Sequence, residues 1–137
     1  MSPEQLLGSA EFGDAVVIAD LEAGIGTLTR LGDATVDVVV VVVEPTPKSI
    51  EVGSRAVELA REKSVTRLIV VANRVRNDDD RDMVATAFPG VTLVAVPDDR
   101  AVIDAERRGV APLDSAPDAP AVQALVGLAE RLVSPAA

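Results

Sequence analysis

Four short apolar runs alternate along the chain with longer segments in which apolar residues recur at helical spacing. The runs cover residues 15–19, 36–43, 68–72 and 91–96, and Asp37 is the one interruption of the second run. Valine and isoleucine dominate the runs, and β-branched side chains favour strands. Because each run is apolar almost throughout instead of in alternation, we expect strands that are buried on both faces, as in a parallel sheet covered by helices.

Helices are predicted after the last three strands. Thr46 and Pro47 are the residue types of an N-cap and a first helical position, so the first helix begins there. The spacing predicts three more helices, over residues 77–87, 98–108 and 120–132. Gly109 ends the third of these, and residues 111–120 are predicted to form a loop. This order predicts one α/β domain over residues 1–137, a three-layer, Rossmann-like, mostly parallel sheet of about four strands.

Composition narrows the possible chemistry. The 137 residues include 13 basic and 22 acidic side chains, a net charge of −9, and 48% of the residues are apolar. Histidine, cysteine, tryptophan and tyrosine are absent, which excludes thiolate chemistry and Cys-ligated metal in this sequence. The negative charge and the two aromatic residues argue against nucleic acid. The longest apolar run, Val38–Val43, is too short to insert into a membrane, so we expect a cytoplasmic protein.

Polar residues follow each predicted strand, where ligands bind in open parallel sheets. Asp20 is placed to hold Mg²⁺ through water, Gly24 to offer its N–H to a phosphate, and Asn73 to contact a base edge. Each residue type also has an ordinary structural role: Asp and Asn end strands in turns, and Asp98 suits the N-cap of the third predicted helix. Likewise, an alternative role for Arg74 and Arg76 is only to neutralise the acidic run 78–80, which is expected to be a solvated helix N-terminus.

Taken together, the strand-end motifs resemble the C-terminal half of MinD/ParA-like deviant P-loop ATPases. They read Asp-Leu-Glu-Ala-Gly, Glu-Pro-Thr-x-x-Ser, Asn-Arg-Val-Arg and Pro-Asp-Asp in order along residues 15–133. The nickel-insertion ATPases of carbon monoxide dehydrogenase are the branch most resembled. The resemblance implies ATP or ADP with Mg²⁺ as ligands. The residues it assigns to the nucleotide are Asp20, Glu22, Gly24, Asn73, Arg74, Pro97, Asp98 and Asp99, with Asp20 toward Mg²⁺.

The family's Walker A loop is missing from this sequence. Neither lysine, Lys48 or Lys63, lies in a Gly-x-x-x-x-Gly-Lys motif, so we expect no ATP hydrolysis by this chain alone. The predicted function is a non-catalytic regulatory or assembly partner with a retained adenine-nucleotide crevice. It would form a homodimer or a complex with a P-loop ATPase relative. Alternatives are half of a split ATPase completed by a Walker A-bearing partner, a fragment of a full-length ATPase, or a receiver-like domain. The last strand is followed by Pro-Asp-Asp-Arg instead of the lysine that a receiver needs.

Overall fold

The computed structural model describes residues 12–21, 36–63 and 65–134. Its sheet has three parallel strands in the order β1-β2-β3, which are β1 (Val38–Val43), β2 (Arg67–Val75) and β3 (Thr92–Pro97). Within these ranges, five helices accompany the strands: α1 (Pro47–Glu62), α2 (Asp78–Ala87), α3 (Arg100–Arg108), α4 (Pro112–Ser115) and α5 (Pro120–Val133). The alternation of strands and helices confirms the predicted α/β class and the parallel sheet.

Side-chain caps define where the helices begin. Thr46 Oγ1 accepts a hydrogen bond from Ser49 N at 3.2 Å at the start of α1, and Asn77 Oδ1 accepts one from Asp80 N at 2.9 Å at the start of α2. The N-cap of α3 is Asp99, and the prediction of Asp98 for this position was wrong. Gly109 ends α3 with φ 65°, a left-handed conformation that favours glycine.

The core lies in two clusters, one on each face of the sheet. Helices α1 and α2 cover one face, where the buried residues are Val41, Val43, Val57, Val70, Ala72, Val84 and Phe88. Helix α5 covers the other face, where the buried residues are Ile69, Val71, Val96 and Ala121. Because successive side chains of a strand point to opposite faces, the continuously apolar strands supply both clusters. The predicted three-layer arrangement is confirmed.

Two elements differ from the prediction. Residues 15–19 form no strand, and the side chains of Val16 and Ile18 are 68% and 83% exposed. A strand needs a neighbour for its backbone hydrogen bonds, and none of the described strands pairs with this segment. The described sheet therefore has three strands instead of about four. In addition, the loop predicted over 111–120 contains the short helix α4.

Within the described ranges, every helix is too short or too polar to cross a bilayer.

Candidate functional site

A cleft of about 180 Å³ opens where the carboxyl ends of β1, β2 and β3 meet. Six residues line it: Glu44, Pro45, Thr46, Arg74, Arg76 and Asp98. The sequence predicted this place because parallel strands direct their carboxyl ends toward one edge of the sheet. Two of the predicted nucleotide contacts, Arg74 and Asp98, are brought together here. Glu44, Pro45 and Thr46 were expected at this edge as strand-end residues, but neither they nor Arg76 were assigned to the nucleotide.

Arg74 lines the cleft and contacts both neighbouring strand ends. Its Nη1 is 3.6 Å from Glu44 Oε1, after β1, and its Nε is 3.5 Å from Asp98 Oδ1, after β3. The backbone of Arg74 is left-handed, with φ 58°, where the β2–β3 register shifts between Ala72 and Val75. Such bulges redirect side chains and are common beside functional sites. The guanidinium therefore sits between two carboxylates in a conformation that the surrounding fold holds in place.

Backbone hydrogen bonds fix both acidic partners of Arg74. Asp98 N donates to Val75 O at 2.9 Å, which ties the end of β3 to the end of β2. Glu44 N donates to Ser49 Oγ at 2.8 Å, so the first turn of α1 holds the end of β1. The backbone that carries Glu44, Arg74 and Asp98 is thus hydrogen-bonded at the ends of all three strands.

Arg76 also lines the cleft, but it forms an ion pair with Asp80 and not with the two acidic partners of Arg74. Its Nε and Nη2 donate to Asp80 Oδ2 and Oδ1 at 2.9 and 3.1 Å, and its backbone N donates to Oδ2 at 3.0 Å. The side-chain and backbone hydrogen bonds from Arg76 hold the pKa of Asp80 below its usual range. The same side-chain hydrogen bond, with the nearby charge of Asp80, raises the pKa of Arg76.

Neutralisation of the acidic run 78–80 was the alternative role that the sequence left open for both arginines. The structure shows this role for Arg76, whereas Arg74 pairs across the cleft. Asp78 and Asp79 are exposed, as expected for a solvated helix start, but Asp80 is only 5% exposed. A buried carboxylate requires hydrogen-bonding partners, and Arg76 supplies three of them.

Asp99 uses both carboxylate oxygens to hold two helices. Oδ1 accepts from Ala101 N in α3 and Oδ2 accepts from Ala121 N in α5, each at 3.0 Å. The hydrogen bond from Ala121 N, followed by that from Ala101 N, holds the pKa of Asp99 below its usual range. Asp99 therefore fixes the backbone next to Asp98, which lines the cleft.

The remaining predicted site residues lie apart from the cleft lining. Asn73 is half-buried in β2 beside Arg74, and Pro97 is half-buried at the end of β3. Asp20 lies in the exposed segment 12–21, and no group of three acidic side chains suited to a metal occurs among the residues that the structure describes. Glu22 and Gly24 lie outside the described residues. The contacts of these residues with nucleotide and of Asp20 with Mg²⁺ stay predictions.

The chain resembles known proteins in sequence and in fold. No protein-family model matches the chain. An uncharacterized ATP-binding protein of Methanocaldococcus jannaschii is 38% identical over 99 residues, which are 70% of this chain and 38% of that protein. A second uncharacterized ATP-binding protein of the same organism is 27% identical over 121 residues, 86% of this chain and 46% of the relative.

Among solved structures, the MinD cell division protein of Aquifex aeolicus superposes with a TM-score of 0.55 at 22% identity. The match covers 74% of this chain and 45% of the MinD chain. The chain thus spans less than half the length of the relatives it matches. It has a MinD-type α/β fold and is related in sequence to two proteins named for ATP binding.

Proposed function

We propose that this chain is a nucleotide-binding-fold protein whose cleft takes the nucleoside part of an adenine nucleotide, without hydrolysing ATP by itself. The observation that carries the proposal is Arg74, whose guanidinium lies between Glu44 and Asp98 where the three strand ends meet. The names of the two sequence relatives support nucleotide binding, and the MinD-type fold supports its place at this edge of the sheet.

The donor set of the cleft fits a nucleoside better than a phosphate chain. A guanidinium stacks on an aromatic ring, and carboxylates accept hydrogen bonds from an exocyclic amine or from ribose hydroxyls. Phosphate binding needs free cations or a row of backbone N–H groups. In the cleft, Arg74 and Arg76 are already paired with carboxylates, and Glu44 and Asp98 would repel phosphate.

The size of the cleft agrees with this division. Its volume of about 180 Å³ is below the ~300–1,000 Å³ typical of sites for drug-sized ligands. A base with part of its ribose is therefore a better match than a whole nucleotide. In this arrangement Arg74 stacks on the base, while Glu44 and Asp98 orient the guanidinium and accept hydrogen bonds from the ligand.

Mg²⁺ in nucleotide sites is commonly held by one or two carboxylates together with phosphate oxygens and water. A phosphate chain and its Mg²⁺ would need groups beyond those that line the cleft. Asp20, which lies apart from that lining, stays the residue predicted to hold Mg²⁺ through water. The proposed role is regulation or assembly in the cytoplasm, in which the chain binds nucleotide and associates with a second copy or with a P-loop ATPase relative.

Titration calorimetry with adenosine, AMP, ADP and ATP, each with and without Mg²⁺, tests the proposal. We expect the four ligands to bind within about threefold of one another, because the phosphates add few contacts, and Mg²⁺ to leave the affinity unchanged. Arg74→Ala should weaken binding by about tenfold through loss of the stacked cation. Arg55→Ala is the matched control, since Arg55 pairs with Glu51 on the exposed face of α1. Absence of adenosine binding at millimolar concentration would overturn the proposal.

A split ATPase is the second candidate. It is favoured by the match of this chain to less than half of each relative, which leaves room for a Walker A half on another polypeptide. This candidate predicts that adding such a polypeptide makes ATP bind much more tightly than adenosine and makes binding depend on Mg²⁺. A regulatory partner predicts association in which ATP binds no more tightly than it binds to the added polypeptide alone. The same calorimetric series, run on this chain, on the added polypeptide and on their mixture, separates the two candidates.

A further inference from the structure

Among the residues that the structure describes, the outer edge of β1 has no neighbouring strand. In the sheet order β1-β2-β3, β1 pairs with β2 on one side, and none of the described strands lies on its other side. The pairing runs in unbroken register from Val38↔Arg67 to Val43↔Ala72. An edge strand presents unpaired N–H and C=O groups along its length, which form a template for another strand.

The composition of β1 is that of an interior strand. All six of its residues are valine. Edge strands usually carry Lys, Pro or a bulge that discourages pairing, and β1 has none of these. The opposite edge strand, β3, begins at Thr92 and ends at Pro97, which limits pairing there.

One face of β1 is also incompletely covered. Val38 and Val40 pack against the cluster beneath α5, and alternation along the strand places Val42 on the same face. The side chain of Val42 is nevertheless 61% exposed. A neighbouring strand on the outer edge would place a side chain beside Val42 and remove this apolar surface from water.

The charges at the two ends of β1 restrict the strand that fits. Asp37 precedes β1 and is exposed, and Glu44, which follows β1, is half-exposed and already has Arg74 on its cleft side. A second copy of this chain would bring two further acidic ends to the same interface and would join two chains of net charge −9. An occupant with Lys or Arg at its ends is complementary instead.

We propose that the outer edge of β1 binds an extended segment of another polypeptide, with β-branched residues in its middle and basic residues at its ends. This extends the assembly role proposed above by naming its surface and the chemistry of the partner. The β1 edge is tested with a peptide and the cleft with adenine nucleotides, so a negative result for one proposal does not decide the other.

The test uses a fluorescein-labelled peptide, Lys-Val-Thr-Val-Thr-Val-Lys, and measures anisotropy as the protein is added. We expect saturable binding and new protection of β1 amides against hydrogen exchange. A peptide with Glu in place of both Lys residues should bind about tenfold more weakly, and a peptide with Pro in place of both Thr residues should not bind.

Two protein variants locate the binding site. Val42→Lys should weaken binding of the Lys-ended peptide by about tenfold, whereas Val42→Thr keeps the β-branched shape and should bind like the wild type. Asp37→Lys should reverse the preference toward the Glu-ended peptide. Because the side chains of both positions are exposed, circular dichroism is expected to show an unchanged fold.

Three outcomes would overturn the inference. The first is no binding of the Lys-ended peptide, or binding that Val42→Lys leaves unchanged. The second is a dimer by sedimentation whose β1 amides are already protected, which would assign the edge to a second copy. The third is protection of both β1 and residues 15–19 in the monomer, which would assign the edge to this chain's own apolar segment.

Discussion

Arg76 and Asp80 form an ion pair with two side-chain contacts, Nε to Oδ2 at 2.9 Å and Nη2 to Oδ1 at 3.1 Å. Asp80 also accepts from Arg76 N, so a single carboxylate receives three hydrogen bonds from one residue. The pair joins the chain that leaves β2 to the first turn of α2. It thereby ties the end of β2, which carries Arg74, to α2, which covers one face of the sheet.

The low pKa of Asp80 predicts a loss of stability in acid. A carboxyl whose pKa is lower in the folded than in the unfolded chain stabilises the fold above the unfolded value of about 3.9. This contribution disappears as the pH falls through the folded pKa. Urea unfolding at a series of pH values from neutral to acid should show this decline, and Asp80→Asn should flatten it while lowering stability at neutral pH. Asp79→Asn is the control, because Asp79 is exposed, and an equal flattening by this variant would contradict the assignment.

Asp99→Ala should destabilise the protein, because it removes hydrogen bonds to the first turns of both α3 and α5. Asp99→Ser should lose less, since a single hydroxyl can still accept from Ala101 N. Urea unfolding measures both values. Asp104→Asn, at an exposed pair with Arg100, is the control and should change stability by less than about 0.5 kcal/mol. Equal losses for the alanine and serine variants would contradict a stabilising bond from Ala101 N, and a serine variant as stable as the wild type would show that the bond from Ala121 N contributes nothing.

Gly53 is required by the close approach of α1 to β1. A Cβ at this position would overlap Val43 Cγ1 and lie 3.3 Å from the Phe88 ring, and both side chains are buried. We expect Gly53→Ala to destabilise by about 1–3 kcal/mol through overpacking, despite the better helix propensity of alanine. Gly127→Ala in α5 meets nothing within 4 Å and should stabilise by up to about 1 kcal/mol. Thermal unfolding of the two variants should therefore shift in opposite directions, and a shift in the same direction would contradict this account.

Arg74→Gly separates the backbone of the bulge from the chemistry of the side chain. Glycine adopts φ 58° without steric strain, and the salt bridges that it removes are exposed, so stability should stay within about 1 kcal/mol of the wild type. Arg74→Val, whose branched Cβ disfavours this conformation, should lose more than about 1 kcal/mol. Both variants should lose nucleoside affinity equally, because both lack the guanidinium. Retained affinity in Arg74→Gly would show that Arg74 is a turn residue and not a ligand-binding one.

Local chemistry in the sequence was sufficient to predict most of the helices and strands. Thr46-Pro47 and Gly109 mark helix ends through caps and backbone conformations that depend on a few neighbouring residues. Continuously apolar β-branched runs indicate buried parallel strands for the same reason. The prediction of a strand over 15–19 was wrong because a strand also needs a hydrogen-bonding neighbour, which composition does not supply.

The sequence by itself determined the α/β class, the parallel sheet and the edge at which the strand ends meet. Only the tertiary structure decided which polar side chains share the cleft and which support it. Neighbouring residues take different roles because their partners lie in different elements. Asp98 contacts Arg74 at the end of β2, whereas Asp99 accepts a hydrogen bond from Ala121 N, 22 residues later, at the start of α5. Contacts of that range depend on how the helices pack on the sheet, and no local pattern of residues encodes them.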